Sequence, residues 1–404
     1  MVFDREELKK LIKEKDVKTQ ADLQEMMRQI YKDVIECVLE GEMTNHLGYE
    51  KSEQGVSLNG NHRNGKSSKT VNSHAGAVNL DIPRDRAASF EPELVKKHQK
   101  DITGIEDKVI ALYGIGTSVR DIQAAIKDFY GYELSPEAVS TITDKVLDML
   151  REWRSRPLDP LYPIVFLDGI RVKVRQNGAS SLCTVYIAIG YCLDGSKACL
   201  GMYFGESESA KFWMTVLNDL KARGLKDVLI FATDNLTGIS QAISSAFPHA
   251  EIQKCIVHQI RNSLAFVSWA ERKEVAAQLK NVYTAPNEQA GQEALDDFIV
   301  SSYGKKYPYI GKSWRDNWSE LSTFFKFSPE LRKLMYTTNT IERFNAAMRK
   351  VIKTKQLFPT EDSVMKLLYL AQERFVPKMR PIYNWGAVMT ELMTFYESRV
   401  TPYL

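Results

Sequence analysis

Between residues 163 and 254 three apolar, β-branched runs follow one another, at 163–174, 182–193 and 198–204, before helix-period and strand-period segments begin to alternate. Strand after strand followed by alternating helix and strand confines the chain to an α/β domain whose sheet is partly antiparallel. Two acids sit awkwardly in this pattern. Asp168 lies in the middle of VFLDGIRVKV, and Asp234 ends the apolar run DVLIFATD ahead of Gly238 and a helix. Strands disfavour Asp, and burying an unpaired carboxylate costs roughly 2 to 5 kcal/mol, so a turn, a basic partner or a metal ion must compensate it.

Alone, Asp234 reads as a turn or helix cap, but two such acids in one sheet point further. In a strand order 3-2-1-4-5 the strands carrying them are neighbours. Two close carboxylates either share a proton or bind a cation, and hard oxygen ligands suit Mg²⁺ or Mn²⁺. A third acid would complete a site for two ions about 3.5 to 4 Å apart, suited to phosphoryl transfer. Glu342, on a helix that Thr338 or Asn339 can cap, is the candidate.

The remaining chain divides by pattern. Residues 1–50 have the three- and four-residue apolar spacing of amphipathic helices, and 51–102 read as a basic, Gly- and Asn-rich loop followed by a small β element at 76–86. Residues 103–155 show three helical segments with Ser118 and Ser135 as starts, a helix-turn-helix-like unit. Residues 156–257 form the first part of the α/β core, 258–335 an all-helical insertion, and 336–404 the C-terminal helices of the core. The net charge of +3 carries no global field, so any nucleic-acid affinity must come from local patches. Five cysteines without paired spacing, no signal-peptide core and no long apolar run predict a reducing, cytoplasmic location away from membranes.

Several blocks in order carry a family resemblance: FLDGIRVKVR, YIAIGY, GESESAKFW, TDNLTGI, CIVHQIRNS, WRDNWSELSTFFKF and YTTNTIERFN, with a weaker NHRNGKSSKTV upstream. Over residues 160 to 355 the chain resembles Mutator-like bacterial insertion-sequence transposases, the insertion-sequence 256 family of DDE type. The resemblance implies a ribonuclease H-like catalytic domain interrupted by an all-helical insertion. It also implies that Asp168, Asp234 and Glu342 form the catalytic, metal-binding triad, with two Mg²⁺ or Mn²⁺ ions. Implied partners are double-stranded DNA, as the element's terminal inverted repeats and target, and a second copy of the chain. The implied location is bacterial cytoplasm, at the nucleoid. Asn235 stands where the family commonly has Gly and Thr237 where a basic residue is usual, and neither change removes a ligand.

Cys255 and His258 have the spacing of half a zinc site without a matching second pair. The resemblance implies that they support the active centre, with Arg261 one helical turn on, whereas core packing is the alternative for Cys255. Trp314 and Trp318 either staple the insertion to the core or stack on a base. Arg63, Lys66 and Lys69 in the basic loop, Arg120 in the helical unit, and Arg343, Arg349 and Lys350 after Glu342 are the candidate DNA contacts. The expected function is DNA cleavage and strand transfer, by cut-and-paste or copy-out transposition. Two readings stay beside it: a catalytically inactive DNA-binding repressor derived from a transposase, and a recombinase with a Ser or Tyr nucleophile.

Overall fold

The structure is a computed structural model that describes residues 5–50, 60–73, 76–97, 104–130, 133–205, 208–336 and 339–404. The chain forms two compact units, residues 1–113 with 118–143, and 114–117 with 144–404.

In the smaller unit Thr19 opens a long helix, Gln20–Leu47, through a capping box with Asp22, and Gly48 closes it in the left-handed conformation at φ 80°. Ile35, Leu39, Met43 and Leu47 recur at four-residue spacing and are buried. Ile35 and Leu39 pack on Val71, Val78, Leu80 and Ile82 of a hairpin formed by β1 (Arg63–Ser73) and β2 (Gly76–Asp85). The sequence predicts a basic loop over the first of these stretches. Alternation of apolar Val71 with polar neighbours was too sparse to reveal a strand whose pairing comes from β2. Leu39 is fully buried here, so Leu39→Ala is expected to cost about 2 to 5 kcal/mol, read as a lower urea midpoint at unchanged slope.

Ser118 and Ser135 do start helices, Val119–Tyr130 and Pro136–Asp144, each accepting a backbone N–H three residues on. The expected three-helix unit at 103–155 is corrected, however. Among the described residues of this stretch there are four helices, and the fourth, Val146–Ser155, belongs to the larger unit, where Trp153 packs on Tyr369 with ring centroids 5.8 Å apart.

The larger unit is built on a five-stranded sheet of β3 (Leu161–Gln176), β4 (Ala179–Tyr191), β5 (Lys197–Gly205), β6 (Asp227–Thr233) and β7 (Glu251–Lys254). Its spatial order is β5-β4-β3-β6-β7, which is the 3-2-1-4-5 arrangement, with β3, β4 and β5 antiparallel and β6 and β7 parallel to β3. Helices Ala210–Ala222 and Ile239–Ala246 cover one face through Trp213, Leu217, Leu220 and Ile243, against Val165, Leu167 and Phe231. The helix Asn339–Ile352 packs on β3. Its exit is pinned there, since Phe358 exchanges backbone hydrogen bonds of 2.9 Å with Lys173 and Arg175.

Among the described residues, 256 to 336 contain no strand. These helices seal the β7 edge: Gln253 donates to the Leu321 carbonyl at 3.0 Å and accepts from the Phe324 N–H at 2.8 Å. Trp314 is buried and donates to Ser263 Oγ at 3.0 Å, which excludes it as a base-stacking surface. It also does not share one helix with Trp318, because the helix Pro308–Asp316 ends at Asn317. No helix among the described residues is long and apolar enough to cross a membrane.

Candidate active site

The register of β3 and β6 explains how two strand acids meet. Leu167 pairs with Thr233 as the last partners of this parallel ladder, so Asp168 and Asp234 are the next residues on each chain. From there β3 continues beside β4 alone, with Asp168 opposite Ile187. Strand side chains alternate faces, so Leu167 enters the core under the helices and Asp168 turns to the opposite face. There it is 6% exposed.

The Asp168 carboxylate accepts from the Gly169 N–H at 2.7 Å through Oδ1 and from the Asn345 amide through Oδ2. It also lies within hydrogen-bonding reach of Asp234. Burial first, and then the charge of Asp234, push its pKa up to about 7. The awkward acid of the sequence is therefore held by two donors yet still short of positive charge.

A cation from the helical insertion faces Asp234. The Cys255 N–H donates to the Thr233 carbonyl at 2.8 Å, fixing the start of the helix Ile256–Leu264 directly beside the end of β6. The Cys255 thiol caps that helix by accepting from the His258 N–H. His258 Nδ1 then reaches Asp234 Oδ1 at 2.5 Å and Cys255 Sγ at 3.3 Å. These hydrogen bonds, that to Asp234 first, raise the imidazole pKa to about 10, so His258 is an imidazolium at neutral pH. Cys255 is buried and also touches His258, so packing and a contact beside Asp234 coexist at this residue. Asp234, Cys255 and His258 bring donor atoms within 4.8 Å of one another.

Glu342 occupies the first turn of the helix Asn339–Ile352. Thr338, one of its two expected caps, lies outside the described residues. Asn345 follows Glu342 by one turn on the same helix face, with Cβ atoms roughly 5 to 6 Å apart in such a pair, and it is fully buried against Asp168. Glu342 Oε1 lies 3.8 Å from Arg261 Nη2, and both side chains are at least one-third exposed. Arg261, expected to face a phosphate, instead meets an acid here.

Asn345 is the residue the sequence reading missed. Its position three after Glu342 in IERFN was the available signal, since a buried Asn inside a helix must find a partner. Its Oδ1 has none among the described residues. Two adjacent carboxylates and an orphaned amide oxygen are hard-oxygen donors of the kind Mg²⁺ or Mn²⁺ takes, whereas Glu342, among the described residues, does not close to within 4.8 Å of both acids.

The other expected contacts are dispersed. Arg63 donates to Thr44 Oγ1 and the Tyr49 carbonyl, Lys66 pairs with Glu40 at 2.9 Å, and Lys69 donates to the Lys96 carbonyl at 2.7 Å. All three are therefore engaged by their own unit. Arg120 is exposed on the helix Val119–Tyr130, and Arg343, Arg349 and Lys350 are exposed on the helix of Glu342. Trp318 is half-buried and donates to Glu288 Oε1 at 3.2 Å.

Residues 2–376 match the model of the family described as Transposase, Mutator family. The chain is 40% identical over 400 residues to the probable transposase for insertion sequence element ISRM3-like of Sinorhizobium fredii, covering 99% of each protein. It is 40% identical to a probable transposase for an insertion sequence element of Corynebacterium diphtheriae, across 80% of this chain and 100% of the relative. Identity is 26% to the transposase for insertion sequence element IS256 in transposon Tn4001 of Staphylococcus aureus, across 85% of this chain and 88% of that one. With the family model spanning nearly the whole chain and a relative of matching length, the chain belongs to the Mutator family of transposases.

Proposed function

We propose that the chain cleaves DNA at the terminal inverted repeats of an insertion sequence and joins the freed 3′ end to target DNA, using a ribonuclease H-like DDE site. The observation that carries this reading is the pairing of Asp168 with Asp234 at the end of the β3–β6 ladder, and it is supported by Glu342 standing on the helix whose Asn345 holds Asp168. Two divalent ions held by these three acids would supply Lewis acidity to the attacking and leaving oxygens of an in-line displacement.

The protein's own groups do the rest. Asp168, clamped by Gly169 and Asn345, presents one fixed carboxylate to the centre of the site. His258 donates from Nδ1 to Asp234 and so holds that carboxylate in place. Arg261, beside Glu342, adds positive charge that attracts the phosphate backbone. None of these steps needs a covalent protein–DNA link. Synapsis of two ends requires at least two copies of the chain, and the helices of the smaller unit, Arg120 among them, are the proposed readers of the repeat.

The test incubates the protein with DNA bearing the element's terminal repeat in Mg²⁺, in Mn²⁺ and in EDTA, and separates binding from cleavage. Cleavage is expected in either metal, with binding alone in EDTA. A phospho-protein adduct formed in EDTA would instead establish a Ser or Tyr nucleophile and overturn the reading.

A further inference from the structure

On another face of the Glu342 helix lies a cavity of about 600 Å³ whose occupant the triad does not account for. Its wall takes Thr340, Arg343 and Ala347 from that helix, at spacings of three and four residues, while Asn345 turns elsewhere to hold Asp168. Among the described residues four cations line it, Lys197, Arg343, Lys378 and Arg380, and no carboxylate does. No acidic partner is present for Arg343, Lys378 or Arg380 among the described residues, and Lys197 donates only to the Arg380 carbonyl, at 2.9 Å. Burial, then the nearby charge of Arg343, lowers the Lys197 pKa, so these like charges raise one another's cost in the free protein.

Charge of one sign facing a shared space is relieved by an anion. The space is far larger than an inorganic anion fills and falls within the roughly 300 to 1,000 Å³ typical of sites for organic ligands. Its surfaces are also aromatic. Tyr191 is buried in its floor and hydrogen-bonded to Thr340 at 2.7 Å, and Tyr383 stands at its rim 95% exposed. An exposed ring beside cations offers a flat, sequence-tolerant surface for a base whose phosphate the cations hold.

We propose that this cavity binds single-stranded nucleic acid, taking one unpaired nucleotide of the strand that passes through the Asp168–Asp234–Glu342 site. Its phosphate lies among Arg343, Lys197, Lys378 and Arg380, and its base lies on Tyr383. The inference rests on the proposed DNA-cleaving function and adds to it a strand path.

The experiment uses the full chain in EDTA and follows the anisotropy of fluorescein-labelled decathymidylate, with a 20-base-pair duplex of arbitrary sequence as the control. Lys378, which ends a single 3₁₀ turn, and Arg380 and Tyr383, which lie outside helices, are all exposed, so their substitution leaves the core intact. The double variant Lys378→Gln, Arg380→Gln is expected to bind the single strand at least tenfold more weakly. The slope of log affinity against log salt should fall by about 1.4, that of two lost single-strand phosphate contacts, with duplex affinity within twofold of the wild type. Tyr383→Ala should lose about tenfold on the thymidylate strand and nothing on an abasic one.

Unchanged single-strand binding in the double variant, or equal losses on strand and duplex, overturns the proposal. So does displacement of the strand by thymidine monophosphate or inorganic phosphate at equal phosphate concentration, which would mark a site for free anions. The two readings fail separately. If Asp168→Asn still cleaves while the cavity variants lose the strand, the catalytic assignment falls and the cavity stands. If cleavage depends on Asp168 and the cavity variants bind normally, the reverse holds.

Discussion

Asp168→Asn is expected to lower strand cleavage by about three orders of magnitude and, in the same molecule, to raise the melting temperature of the metal-free protein. The two effects have one cause. Asp168 is 6% exposed and beside Asp234, and these surroundings lift its pKa to about 7 from an unfolded value of about 3.9. Between those values the folded state holds a proton that the unfolded state has released. Wild-type stability therefore declines as pH rises from about 4 to about 7 and levels off above, with a limiting cost of a few kcal/mol.

An amide of the same shape carries no such charge and escapes that decline. Asn345 can accommodate it by turning its own amide, because its Oδ1 lacks a partner and becomes the acceptor. The variant should melt about 2 to 5 °C above the wild type at pH 8 and together with it near pH 4. Mg²⁺ or Mn²⁺ at a hundred times its dissociation constant should then stabilise the wild type by about 2.7 kcal/mol and the variant by little. Differential scanning fluorimetry across pH and metal concentration checks both statements. Equal melting curves at pH 8 without metal would remove the claim that Asp168 is held against its charge.

Asn345→Ala should raise the Mn²⁺ concentration needed for half-maximal cleavage by about 10- to 100-fold. Among the described residues the amide is the only side-chain donor to Asp168 other than its carboxylate neighbour, and it is fully buried. Without it Oδ2 loses the bond that fixes the carboxylate, and the stability cost is about 1 to 3 kcal/mol. Activity should recover at saturating metal, because the three acids remain. A metal titration of cleavage separates this positioning role from a merely structural one, which would depress activity at every metal concentration without moving the midpoint.

The legible parts of the fold were those whose residues speak locally. Alternating β-branched runs and serine caps mark the strands and helix starts of 156–257 and two starts in 103–155, and the observed bounds differ by up to three residues. Arg63–Ser73 was not legible, because a polar strand shows its identity only when β2 pairs with it and the long N-terminal helix covers one face. Trp314 and Trp318 looked like one helical face until Asn317 separated their helices. The fourth helix of 103–155 was assigned with its neighbours in sequence, yet Trp153 found its partner at Tyr369, more than two hundred residues away.

The candidate site divides in the same way. That two carboxylates stand where strands should be apolar is a property of the sequence alone, and it already demanded compensation and pointed to Glu342 as a third acid. How the acids are compensated is decided only in three dimensions. The register of β3 on β6 makes Asp168 and Asp234 neighbours, the Cys255–Thr233 hydrogen bond sets His258 against Asp234, and the Asn339–Ile352 helix delivers Asn345 to Asp168. Spacing along a chain encodes which side chains share a face, because helices and strands have fixed periods. It does not encode which faces meet, because that follows from the burial of apolar surface over the whole unit.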